Sequence, residues 1–368
     1  MRLCLLVEAA SGGTGRHVID LTRALCARGH DVTLIYSPIR SDIGFRRAAS
    51  ESGALVLLMP MERGIGWHDL AAARTLTRLI EHCGPFEIIH AHSSKAGAVA
   101  RLAAVGGAAL VYTPHALATL DPDRGMASRS MIGLAERLLG PRTDALITVS
   151  VEEWEEAGRL GISADRRHLI ANRLQPASFR SRSKARAALG ADRGEIWLGF
   201  AGRLSPQKAP LLFVAAALGA MRRDDRVRAL ILGDGEQAGL VAEAIAESDF
   251  AARFTWHRDE DARDWLAALD LYVMTSRFEG LPYVLLEALA VGVPVLTNPV
   301  GGARQLLSSG SGLVASDEAL PALLLALIAD STWLARLRNQ ARRVGSESAG
   351  HRMIDRTEAL YERLAGRA

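Results

Sequence analysis

The chain has 368 residues, of which 49% are hydrophobic and 23% charged, with a formal net charge of +3 at pH 7. This is ordinary globular material, long enough for two cores. The small positive excess lies in the first 180 residues; it permits attraction to an anionic surface but is too weak to predict a nucleic-acid partner. No apolar run approaches the roughly 18 residues that span a bilayer. The start "MRLCLLVEAASGG" turns to glycine before a signal-peptide cleavage pattern forms, so a cytoplasmic protein is expected. Cys4, Cys26 and Cys83 lack CxxC spacing and read as small core residues.

In chain order, the first half alternates short β-rich runs with amphipathic helices. "RLCLLVE" (2–8) leads into "EAASGGTGRHVIDLTRAL", a glycine-rich turn that opens a helix. Gly12, Gly13 and Gly15 permit close backbone approach, and the helix start near Arg16 offers unpaired N–H groups to an anion. Two readings stand: a ligand loop, or a turn that serves strand-to-helix packing. A dehydrogenase fits poorly, because the next strand, "DVTLIYS" (31–37), ends in Tyr36 and Ser37 where an acid for the ribose is needed.

"ALVLLMP" (54–60) and a helix from Leu70 to Cys83 follow, then "EIIHAH" (87–92) with His90, His92, Ser93, Ser94 and Lys95 at its end. "ALVYTPH" (109–115) brings His115 to the same edge. Two histidines at neighbouring strand ends invite zinc, but no third ligand stands at a plausible spacing, so no metal is expected and hydrogen bonding to a hydroxyl-rich substrate is the better account. "DPD" at Asp121 to Asp123 reads as a polar turn. The amphipathic stretch "MASRSMIGLAERLLGPR" (126–142), with Arg129, Arg137 and Arg142, suits either packing on its own domain or a peripheral contact with an anionic bilayer. "ALITVS" (145–150) completes a rhythm that predicts a doubly wound parallel sheet.

The polar stretch "SRSKARAALGADRGE" (181–195) marks the expected junction. It divides an N-terminal domain, 1–180, from a C-terminal one, 181–349, with a last helix, 350–368, free to pack on either. The second series runs through "IWLGFAG", "RALILGDG" (228–235), "RFTWH" (253–257), "DLYVMTS" (270–276) and "VPVLTNP" (293–299). The expected architecture is α/β, two facing Rossmann-like domains with an interdomain cleft at the strand ends.

Two segments of the second half carry charge into that edge. "GFAGRLSPQKAP" places Arg203 and Lys208 before a helix start, an anion cradle, and Lys208 is notable in a chain whose only other lysines are Lys95 and Lys184. "SRFEGLPYVLLEALAVGVPVL" (276–296) puts Glu279 in a loop before a helix and Glu287 inside an apolar run, with Gly280 and Leu281 exposing N–H groups. A carboxylate buried there needs a partner, and adjacent ribose hydroxyls are apt.

With "SGGTGRHV", "HAHSSKAG", "YTPHA", "GFAGRLSPQK", "LGDGE", "SRFEGLPYVLLEALAVGVPVL" and "NPVGG" in that order, the chain resembles, nearly end to end, the retaining glycosyltransferases of family 4, of GT-B fold. The combination of "SSKAG" with "TPHA" is similar to enzymes of bacterial exopolysaccharide and lipopolysaccharide synthesis. The resemblance implies a nucleotide-diphosphate sugar as co-substrate, no other cofactor, and a carbohydrate or lipid-linked oligosaccharide acceptor; the 126–142 stretch leaves open whether the cytoplasmic protein works at the inner face of the cytoplasmic membrane. It implies that Arg203 and Lys208 neutralise the diphosphate, that Glu279 sits at the transferred sugar, and that Glu287 binds the ribose. The amides of Gly280 and Leu281 would reach the phosphates, His115 would line the sugar pocket, Gly12 and Gly13 would let a loop close over the substrates, and Gly233 and Gly235 would flank the nucleotide. His92, Ser93, Ser94 and Lys95 are acceptor-side candidates. Two departures from the family pattern are Arg173 with Ala171 in "IANRLQP" and Gln305 after "NPVGG". Two alternatives remain open: a non-catalytic nucleotide-sugar-binding subunit and a sugar-nucleotide epimerase.

Overall fold

A computed structural model of the chain describes residues 1–62, 64, 66–175 and 177–366. The chain forms two compact units, Met1–Asn172 with His351–Ala368, and Arg173–Gly350.

In the first unit, seven strands form one parallel sheet: β1 (Arg2–Val7), β2 (Asp31–Tyr36), β3 (Leu55–Leu58), β4 (Ile88–His92), β5 (Ala109–Thr113), β6 (Ala145–Thr148) and β7 (Arg167–Leu169), in the order β3-β2-β1-β4-β5-β6-β7. In β1 the alternation of a two-faced strand is explicit. Leu3, Leu5 and Val7 pack into one core, while Cys4 and Leu6 pack into another on the opposite face. Cys4 is thus the small core residue its context predicts, and burial raises its thiol pKa to about 12.

The second unit holds β8 (Ile196–Ala201), β9 (Val227–Leu232), β10 (Phe254–His257), β11 (Leu271–Met274), β12 (Val295–Thr297) and β13 (Gly312–Val314), parallel in the order β10-β9-β8-β11-β12-β13. Strand order reverses between β1 and β4 in one sheet and between β8 and β11 in the other. Carboxyl ends at such reversals are where open α/β sheets bind ligands.

Strands β7 and β13 have no counterpart in the sequence reading; each is three residues long, too short to show a period. The junction also falls earlier than residue 180. Leu174 already bridges to Ala349, and Arg173 donates to the Glu347 carbonyl at 2.7 Å, so the chain past Asn172 is bound into the second unit. The last helix, Arg352–Ala365, belongs to the first unit, where Met353, Ile354, Leu360, Tyr361 and Leu364 join the core of Leu3, Leu5 and Ile88. Arg28 reinforces this by pairing with Asp355 at 2.5 Å and with Glu358.

Helix Met126–Leu139 packs on helix Ser94–Leu102 through a buried ion pair, Arg101 donating to Glu136 at 2.7 Å with the guanidinium 4.5 Å from the Tyr112 ring. Among the described residues no single helix is long and apolar enough to cross a membrane.

Leu360 is fully inside the first core, so Leu360→Ala should cost about 2–5 kcal/mol there. Native-state hydrogen exchange should show lowered protection in β1 and β4 with β8 and β11 unchanged. Equal loss in both sheets would contradict two separate cores.

Candidate active site

The first unit gathers polar side chains at the carboxyl edge of β1, β4 and β5. Past β1, buried Glu8 accepts from Arg40 at 2.9 Å, and helix Gly12–Ala27 starts at Gly12, which with Gly13 is exposed. The Gly12 N–H lies 3.4 Å from Asp42 Oδ2. Past β4, Ser93 has φ 85° and caps the helix that starts at Ser94, accepting from the Ala96 N–H.

Past β5 the chain takes two left-handed residues in succession, His115 at φ 61° and Ala116 at φ 122°. For residues with a Cβ each such position costs of order 1–3 kcal/mol and persists only where the surroundings enforce it. Here the enforcing group is Glu153, fully buried on helix Val151–Arg159, whose two oxygens accept from the Ala116 and Val149 N–H groups at 2.8 Å each. Burial pushes this carboxyl up to about 7, against the pull of the backbone donors. The sequence reading passes over both Glu8 and Glu153; nothing in "VSVEEWEEAG" marks which glutamate turns inward.

His115 does not stand alone. Its Nε2 lies 3.1 Å from Nδ1 of His92, and its ring meets that of His17 edge-on with centroids 4.6 Å apart. His17, His92 and His115 bring their ligand nitrogens within 4.8 Å of one another. The expectation that no third ligand accompanies the two histidines is therefore corrected: His17 arrives from the first helix, far from the others in sequence. Its Nδ1 pairs with Asn172 Oδ1 at 3.1 Å, which orients the ring. Burial holds all three imidazoles neutral, His17 down to about 4 and His92 and His115 well below the usual range. Neutral imidazoles suit sugar hydroxyls and divalent cations alike.

Two of the sequence candidates have other tasks. His90 is a core residue, its nitrogens 2.5 Å from Tyr361 Oη and 2.8 Å from Thr113 Oγ1. Lys95 is half-buried and donates to Asp69 Oδ1 at 2.5 Å and to the Gly64 carbonyl, so its ammonium is already paired. The "DPD" segment is a turn, the Asp123 N–H donating to Asp121 Oδ1 at 3.1 Å.

In the second unit the loops past β8 and β11 are laced together. Arg277 N–H donates to the Gln207 carbonyl at 2.8 Å, Gln207 Nε2 to the Phe278 carbonyl at 3.1 Å, and Thr275 Oγ1 to the Lys208 carbonyl at 2.9 Å. Lys208 Nζ thereby reaches Glu279 Oε1 at 2.5 Å. Arg203 is exposed on the same loop as Lys208. Gly233 and Gly235 let the loop past β9 press against that loop: a Cβ on them would lie 2.3 Å from the Gly202 oxygen and 2.4 Å from the Leu204 oxygen. Any larger residue would displace the Arg203 loop.

Past β11, Pro282 immediately precedes helix Tyr283–Ala290, Gly280 and Leu281 are buried just before it, and Glu287 is 8% exposed on its inner face. The solvent-facing reading of Glu287 is excluded. Burial raises the Tyr272 phenol well above its usual range, and the charges of Glu279 and Glu287 add to that. Gln305 is exposed on helix Ala303–Leu307.

Four histidines, buried His17, His90 and His92 and half-buried His115, have pKa values lowered by removal from solvent. Below the unfolded value near 6.5 the unfolded chain binds protons that the folded unit does not, so stability should fall as pH drops. Each group contributes up to about 1.4 kcal/mol per pH unit. His17→Gln should flatten the slope of unfolding free energy between pH 6 and 5 by about one proton; an unchanged slope would contradict a neutral His17.

Residues 12–173 match the family described as "Glycosyl transferase 4-like domain", and residues 195–330 match "Glycosyl transferases group 1". A D-inositol 3-phosphate glycosyltransferase of Saccharomonospora viridis is 30% identical over 319 residues, 79% of this chain and 72% of the relative. Among solved structures, the sucrose-phosphate synthase of Thermosynechococcus elongatus superposes with a TM-score of 0.81 at 20% identity, covering 100% of both chains. Anabaena Alr3699/HepE in complex with UDP and glucose gives 0.80 at 20% identity over 98% of each. At that identity the two structures speak for the fold, whose two parallel sheets are those of GT-B enzymes. The two matched families and the sequence relative together establish that this chain belongs to glycosyltransferase family 4.

Proposed function

We propose that the protein moves a hexose from a nucleotide-diphosphate sugar to a carbohydrate or lipid-linked carbohydrate acceptor, with retention of anomeric configuration, in the building of a surface polysaccharide. The observation that carries this is the group at the strand-order reversal of the second sheet: Lys208 paired with Glu279, Arg203 on the same loop, and Glu287 buried on the helix that follows Glu279. HepE, solved with UDP and glucose, shares this fold and supports a nucleotide-linked donor.

In this reading Arg203, Lys208 and the Gly280 and Leu281 amides meet the diphosphate charge, which grows as the sugar–phosphate bond breaks; fixed donors stabilise that state more than the ground state. These cations and amides supply the charge stabilisation that a metal would otherwise give. Glu279 faces the transferred sugar, and Glu287 accepts from ribose hydroxyls. The acceptor oxygen bonds the anomeric carbon on the face the phosphate leaves, and its proton passes to the departing phosphate oxygen. His115, neutral and held by its turn, hydrogen-bonds a sugar hydroxyl. The epimerase alternative needs a free acid at the first unit's strand ends, and the acids described there are engaged, Glu8 with Arg40, Asp42 with the Phe45 N–H, Asp69 with Lys95 and Glu153 with backbone N–H groups.

A lipid-linked acceptor is supported by helix Met126–Leu139. Met126, Met131, Leu134 and Leu138 are 84%, 55%, 57% and 69% exposed, Arg129, Arg137 and Arg142 are exposed beside them, and the helix's single acid, Glu136, is turned inward. An apolar stripe flanked by arginine suits the surface of an anionic bilayer. Co-sedimentation with phosphatidylglycerol vesicles should be strong, weak with phosphatidylcholine, and lost in Leu134→Asp/Leu138→Asp; equal binding to both lipids or full retention in the double variant would refute the contact.

Calorimetry against UDP-, GDP-, ADP- and dTDP-sugars should find one class that binds with or without EDTA. Glu287→Ala should weaken that binding about 10–100-fold by removing charged hydrogen bonds, while Arg203→Ala should lower kcat about 10²–10³-fold with little change in binding. Wild-type behaviour of both variants would sink the assigned roles.

A further inference from the structure

At the opposite, amino edge of the second sheet lies a cavity of about 300 Å³ whose lining includes Arg180, Arg182, Arg338, Arg342, Val291 and Val293. Asp270, just ahead of β11, accepts from Arg182 at 2.6 Å and from Arg338 at 3.1 Å, and pairs with Arg186. Arg180 stands 3.5 Å from Asp264, and its guanidinium lies 4.9 Å from the Trp265 ring centre. Among the described residues Arg342 makes no ion pair. Five guanidiniums thus face two carboxylates, and the excess positive charge is left at the cavity.

The arginines are held in place. Arg182 Nη1 donates to the Leu269 carbonyl at 2.6 Å and Arg186 Nε to the Ala268 carbonyl at 3.0 Å. The stem of Arg342 passes so close to Gly292, at φ 72°, that a Cβ there would lie 2.4 Å from its Cγ. Burial lowers the pKa values of Arg182 and Arg338, and each is lowered further by neighbouring arginines while Asp270 opposes the effect. Such a set is under-neutralised without an added anion.

We infer that this cavity is a second anion site, separate from Arg203 and Lys208, that takes a small phosphate-bearing molecule. Planar guanidiniums fork onto phosphate oxygens. Val291 and Val293 offer an apolar wall to whatever carries the phosphate, and the volume is at the lower end for small-molecule sites, the size of a sugar phosphate. The inference does not rest on the proposed reaction, since Asp270 and Glu279 bracket opposite ends of β11.

The test is calorimetry and thermal melting of the full chain with inorganic phosphate and with glucose 6-phosphate, against sodium chloride at matched ionic strength. Saturable binding with a raised Tm is expected, weakened about tenfold in Arg342→Gln and retained in Lys208→Gln. Tighter binding of the sugar phosphate assigns the cavity to a metabolite, and equal binding assigns it to phosphate itself. No response beyond chloride, or binding untouched by Arg342→Gln, overturns the inference. Loss in Lys208→Gln with retention in Arg342→Gln also overturns it, because the anion then sits with the donor residues.

Discussion

A parallel strand covered on both faces can carry chemistry only where it ends. In β1 every residue from Leu3 to Val7 is sealed from solvent, and β8 and β11 are equally covered. Polar groups are therefore pushed to the carboxyl end of each strand and the few residues past it, where His92 closes β4 and Glu8, His115, Lys208 and Glu279 follow their strands. The chain must also turn at once into a helix or loop, which is why left-handed backbone recurs at Ser93, His115, Ala116, Gly202 and Gly233. The strain of the non-glycine turns is sustained by anchors such as Glu153, and the glycine turns let neighbouring loops touch backbone to backbone.

The two units answer this constraint with different electrostatics. In the first, burial strips the histidines of charge and leaves a neutral surface of N–H groups and lone pairs, suited to hydroxyls. In the second, Lys208 and Glu279 remain partly exposed and keep their charges by pairing with each other. The arginine cavity at the amino edge of the same sheet has the opposite character: more cation than its own carboxylates neutralise.

Those contrasts were only partly legible beforehand. "GFAGRLSPQK" and "SRFEGLPYVLLEALAVGVPVL" announce their loops because glycine, proline and the apolar period fix the local geometry, and the inward orientation of Glu287 follows from its flanking leucines. Lys95 illustrates the limit. Its place at a strand end makes it an acceptor-side candidate, yet Asp69, on another helix, claims its ammonium, and sequence spacing carries no record of which helices lie side by side.

The sequence by itself determined the alternation of strand and helix, the two-unit α/β class, and the strand ends where polar side chains gather, because these depend on hydrophobic period and turn chemistry within short windows. Only the tertiary structure decided that His17 joins His92 and His115, that Glu153 rather than its neighbours holds the His115 turn, that the last helix returns to the first core, and that Arg182 and Arg338 meet at Asp270. Each of these joins residues far apart in the chain, and such contacts are set by which faces must be buried together, a property of the packed whole that no local window contains.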